Sequence, residues 1–191
     1  MLLRTFFSLH HAQMAAFHAR SAAAIAVGGS GDTAVAMSAH VSGAVISACG
    51  FVEATSNELT EQDGRGNALL RFNDILVAAG LPPFDQQDAS WLAATTLFDL
   101  RNRLVHYQHD WLDAGTPDMV GANNLYGSPL YPRLQASFAF LPDSHCYGPR
   151  FLSPECAAWS INVATAFLDE FYARQGQVPN HDHLRERIEV R

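Results

Sequence analysis

The sequence predicts an all-α fold: an antiparallel bundle of four to five main helices with one long irregular insertion. Three observations predict it. Apolar and small residues keep a three-to-four spacing over long stretches, as in Met37, Val41, Ala44, Ala48, Phe51, Thr55 and Leu59. Glycine and proline clusters such as Val27-Gly28-Gly29-Ser30-Gly31 and Gly80-Leu81-Pro82-Pro83 cut the chain into pieces of helical length. No segment shows the strict alternation of a half-buried strand. With 191 residues and 48% hydrophobic content, the chain suffices for one domain with a sizeable core, and no shift in composition argues for two.

The first helix is expected from Leu2 to about Ala26, ending at the glycine cluster. Asp32 or Thr33 caps the second, which keeps its spacing to Glu58–Glu61. A third follows Asp63-Gly64-Arg65-Gly66, from about Asn67 to Ala79, and is stopped by Gly80 and the two prolines. Asp88 or Ser90 starts a fourth, expected to continue to about Asp113. From 114 to 152 no period survives, and a connection of this length in a compact domain is usually a lid or binding loop. A short helix near Pro132–Phe138 is expected within it, and the insertion is long enough to fold over the polar face of the fourth helix. Ser153 as N-cap with Pro154 at the first position begins the last main helix, through Trp159, Val163, Phe167 and Phe171. The tail from about 176 to 191 is polar, with a short terminal helix at Leu184–Val190.

Charge and composition narrow the function classes. A net charge of −7 gives no electrostatic footprint for non-specific nucleic-acid binding, so any RNA contact must be local. All 12 basic residues are arginine, the side chain suited to bidentate phosphate contacts. Cys49, Cys146 and Cys156 lack metal-type spacing and suit a reducing cytoplasm, with Cys49 a small core residue. His10, His11, Gln13 and His18 interrupt the apolar run of the N-terminus and argue against a signal peptide. Thr33–Ala54 approaches membrane-spanning length, but His40, four serines or threonines and acidic flanks argue for a buried helix and no membrane partner. Neither a Glu-x-x-His pair nor a His-Glu-x-x-His run occurs, so no metal and no cofactor are expected, and the histidines of His181-Asp182-His183 read as solvent-exposed.

Leu97–Trp111 carries the most chemistry. On a helix, Leu97, Leu100, Leu104, Tyr107 and Trp111 form one stripe, while Asp99, Asn102, Arg103, His106 and Asp110 gather opposite. Arg101 and His106, five residues apart, stand roughly 140° apart around the axis. They converge only if the guanidinium arm swings along the edge or a second copy of the chain supplies one partner.

The run Arg101-Asn102-Arg103-Leu104-Val105-His106 resembles the Arg-x(4–6)-His signature of the HEPN superfamily, in which a polar residue often follows the Arg. Ser47–Leu59, with its Glu-Ala-x-x-Asn-Glu-Leu ending, resembles the long first-half helix of such proteins. Together these elements cover about Val35 to Trp111. The resemblance implies a single HEPN-like helical domain over 1–191, dimeric, cleaving RNA without metal at a cleft shared by two protomers. Arg101 and His106 would be the catalytic pair, with Asn102 orienting the imidazole or binding phosphate. Glu53, Asn57 and Arg103 would support them; Glu53 either salt-bridges Arg101 or Arg103 and pins two helices, or sets the position and pKa of the pair. Family members include toxins and defence effectors, so an antitoxin or regulatory protein is among the implied partners. Others have lost activity and serve as RNA-binding or interaction modules, which is the alternative reading. Tyr107 adjoins His106 directly, a register unlike that of family toxins with a modified Tyr, and its stripe assigns it to the core.

Overall fold

The computed structural model describes residues 6–25, 31–60, 66–106, 128–141 and 150–190, and these are all-helical. The helices are α1 (Phe7–Ala24), α2 (Gly31–Thr60), α3 (Ala68–Ala78), α4 (Ala89–Val105), α5 (Leu130–Ser137), α6 (Pro154–Arg174) and the short α7 (Arg185–Ile188), which follows a 3-10 turn at Asp182–Leu184. Tyr107, Asp110, Trp111 and Cys146, like most of the 114–152 insertion, lie outside the described residues.

Local chemistry sets several boundaries where the sequence marks them. Asn67 caps α3 by accepting from the Leu69 N–H at 2.9 Å, and Ser153 caps α6 by accepting from the Cys156 N–H at 3.2 Å. Gly80, at φ +73°, closes α3: its N–H donates to the Val77 carbonyl while Leu81 N–H reaches back to Leu76. Gly176, at φ +66°, ends α6 in the same way, with bonds to Ala173 and from Gln177 to Tyr172.

Helix directions alternate. Cys49 faces Leu97 and Glu53 faces Arg101, so α2 and α4 run parallel; Asp88 meets Arg174 and Trp91 meets Phe167, so α6 runs against α4. α1 lies antiparallel along α2, with His11 over Gly50 and His18 over Gly43. Their close approach rests on small residues: Ala12, Ala15, Ala16, Ala19 and Ala22 are buried along α1. An aromatic cluster of Phe72, Phe84, Trp91, Phe167 and Phe171 ties α3 and α4 to α6, with ring centroids 4.7–5.3 Å apart for the two Phe72 contacts on α6. By length and composition alone α2 is apolar enough to cross a membrane, and here its Val41, Val45, Ala48, Phe51 and Val52 are buried within the bundle.

Two sequence expectations are corrected. The fourth helix ends at Val105 rather than near Asp113, with His106 leaving helical geometry at φ −109°, ψ 42°. In its last turn Leu104 is only half-buried, whereas Leu97 and Leu100 are fully buried, and residues 107–113 lie outside the described residues. The tail is not solvated throughout: Leu184, Ile188 and Val190 are buried, and so is His181, at 1% exposure, although His183 is exposed as expected. His181 Nε2 lies 2.9 Å from Asp169 on α6, the edge of its ring meets Phe51, and Arg185 grips both Asp169 oxygens at 2.6 and 2.8 Å. A buried imidazole is tolerable because it has this partner.

Candidate functional site

A cleft of about 580 Å³ opens where the start of α3 faces α2 and the polar side of α4. Leu69, Trp91, Leu92 and Phe98 give it apolar surface; Asn67, Gln86 and Asn102 add amides; Glu53, Asp99 and Arg101 supply charge. Four of the α4 contributors, Leu92, Thr95, Asp99 and Asn102, follow a three-to-four spacing along one face.

Arg101 is fixed from two sides. Its Nη2 donates to Glu53 Oε1 in an ion pair between α4 and α2, and its guanidinium sits 5.5 Å from the centroid of the Phe98 ring. Below it lies the buried Cys49 thiol, whose pKa burial pushes up to about 12, with the neighbouring Arg101 acting in the opposite direction. Cys49 is therefore a protonated core thiol and no nucleophile. Asp99 is paired with Arg133 of α5 at 2.8 Å, and Arg133 also donates to Thr96 Oγ1 at 2.6 Å. This bond set is how part of the insertion folds over the polar face of α4. The two acidic groups of the cleft are thus each matched by an arginine.

The cleft brings Glu53, Arg101 and Asn102 together. His106 is not among its lining residues; it is exposed at the C-cap of α4, its N–H bonded to the Asn102 carbonyl at 2.9 Å. Asn57 belongs to a different network: its Oδ1 accepts from Arg71 Nη2 at 2.9 Å, while Arg71 also donates to Ser56 Oγ. That buried arginine ties α3 to α2. Arg103 is half-buried on α4. Sequence reading missed Trp91, Phe98, Gln86 and Asn67. The α4 pair was findable from its helical register with Arg101, whereas the α3 and loop residues arrive only through tertiary packing. Among the described residues, no group of three or more His, Cys, Asp or Glu side chains is placed to hold a metal ion.

No protein-family model, curated protein or solved structure matches the chain.

Proposed function

We propose that the protein is a HEPN-like, metal-independent endoribonuclease that acts as a cytoplasmic homodimer, as a toxin or defence effector under control of a protein partner. The observation that carries this reading is the anchored Arg101 beside Asn102 at the cleft, with an exposed His106 one helical turn further on. RNA carries its own nucleophile. The 2′-hydroxyl oxygen attacks phosphorus, its proton passes to His106, the guanidinium of Arg101 offsets the charge of the phosphorane, and the P–O5′ bond breaks with the 5′-oxygen taking a proton from the imidazolium or from water. The products are a 2′,3′-cyclic phosphate and a 5′-hydroxyl. Because His106 stands outside the cleft of its own Arg101, the reading assigns the missing imidazole to a second copy across a two-fold axis.

The test is incubation of the purified chain with structured and unstructured RNA in EDTA, followed by mapping of the ends. Cyclic phosphate ends support the proposal; cleavage that needs a divalent metal, or a stable monomer by sedimentation at micromolar concentration, counts against it. One observation favours a second reading, a non-catalytic helical interaction module: Glu53 already neutralises Arg101 and pins two helices with it. Absence of cleavage on every RNA, with the fold intact, would favour that module.

A further inference from the structure

At the middle of the α1–α2 interface, remote in sequence from the cleft residues of α4, two imidazoles meet. His18 Nδ1 and His40 Nδ1 are 3.1 Å apart, with ring centroids 5.4 Å apart and planes inclined at 50°. We propose that His18 and His40 are the protein ligands of a site for one divalent transition-metal ion of the zinc, copper and nickel class, clamping α1 to α2.

The bite distance fits such an ion. With metal–nitrogen bonds of about 2.05 Å, a separation of 3.1 Å subtends about 98° at the metal, between square and tetrahedral angles. All-imidazole ligation selects these metals over magnesium and calcium, which take oxygen. Both rings are half-buried, so water has access to complete the coordination shell. Two protein ligands imply micromolar rather than nanomolar affinity.

The rings are also held in place before any metal arrives. His18 is seated on Gly43 of α2, where an added Cβ would come within 2.9 Å of its Cδ2, Cε1 and Nε2 atoms. The Phe17 ring stands edge-on to both imidazoles, at 5.4 Å from His18 and 6.3 Å from His40. Burial and the neighbouring His40 hold the His18 pKa below its ordinary value, which keeps the ring in the neutral form that a metal requires. Seven residues earlier on α1, His11 is seated on Gly50 in the same manner, without a histidine facing it from α2. That position is a built-in control. Without metal, the 3.1 Å contact is an N–H···N hydrogen bond between the two rings, and metal binding replaces it once both rings present an unprotonated Nδ1, the donor ring's proton moving to Nε2.

Calorimetric titration of the full chain with zinc chloride, and separately with nickel chloride, at neutral pH tests the site. One equivalent should bind, with affinity falling at least about tenfold in His18→Ala and in His40→Ala. Gly43→Ala keeps both histidines but drives the His18 ring from its seat, and should weaken binding comparably, while His11→Ala and His183→Ala leave it unchanged. In the wild-type chain, substoichiometric nickel should broaden the imidazole resonances of His18 and His40 before those of the other histidines, a readout that needs no variant to fold. Heat of binding that is equal in all variants, absence of binding by the wild type, or broadening that begins at His183 would each overturn the proposal.

Discussion

Glu53 of α2 and Arg101 of α4 form an ion pair between two parallel helices, one turn beyond the point where Cys49 faces Leu97. The side chains are 40% and 21% exposed, so solvent screens the pair and its coupling should amount to about 0.5–1 kcal/mol in a double-mutant cycle read by urea denaturation. In the proposed enzyme Glu53 is a positioning residue. Glu53→Ala should lower RNA cleavage about tenfold with KM little changed, and Glu53→Gln, which retains a hydrogen-bond acceptor, should recover part of it. Equal activity in both variants and the wild type would leave the pair a purely structural pin.

The aromatic cluster around Phe167 carries the junction of α3, α4 and α6. Phe167 is fully buried against Phe72, Phe84 and Trp91. Phe167→Ala should cost about 3–5 kcal/mol by chemical denaturation, while Phe167→Leu should cost markedly less because more of the volume is kept. Equal losses for the two would show that ring contacts, rather than filled volume, set the cost.

Acidification should destabilise the fold in two limbs. Burial holds the pKa of His181 below its ordinary value, outweighing the opposing effect of Asp169, and burial does the same for His11 and His18. The unfolded chain therefore takes up protons first, and stability falls as pH drops below about 6.5. Burial pushes the Asp169 carboxyl upward, but its bonds to Arg185 and His181 prevail and hold it low; Asp88 is held low by the Asp85 N–H and by Arg174. Their stabilisation is present above the unfolded value and is lost below about pH 4. His181→Gln should shrink the first limb and Asp169→Asn the second. A wild-type stability profile that is flat between pH 7.5 and 5 would contradict the buried neutral imidazoles.

Both described cysteines should be silent toward thiol reagents. Burial raises the Cys49 and Cys156 thiols well above their ordinary range, so neither offers thiolate at neutral pH. In a Cys146→Ser background the native chain should react with an aromatic disulfide reagent only after denaturant is added. Prompt labelling of the native protein would show that the core around α2 or α6 opens readily.

Much of the fold was legible because its signals are local. Asn67, Gly80, Ser153 and Pro154 act on the backbone within a few residues, and each sets the boundary that its chemistry predicts. That Glu53 pairs with an arginine of α4 was also readable, since a carboxylate among the apolar residues of a long helix demands a cation, but the choice of Arg101 over Arg103 comes only from how α2 and α4 pack. The burial of His181 was not readable, because its neighbours in sequence are polar and the reason for its burial, Asp169, lies a dozen residues back on α6. The end of α4 at Val105 was not readable either: the spacing of Leu97, Leu100 and Leu104 is a helical pattern that carries no stop signal, and the non-helical turn at His106 has no Gly or Pro to mark it. The lining of the cleft divides in the same way between Phe98, in register with Arg101, and Asn67, which only the placement of α3 brings near.

The role of Arg101 and His106 as one chemical unit is tested most directly by single-turnover RNA cleavage in EDTA by the wild type, Arg101→Ala, His106→Ala and the double mutant. The proposed chemistry predicts that each single substitution removes about 100-fold or more of the rate and that the double mutant loses little beyond the worse of the two. Because His106 is exposed at the end of α4, His106→Ala should remain folded by circular dichroism and melt close to the wild type. Cleavage at the wild-type rate by all three variants would contradict the proposal and remove both residues from the mechanism.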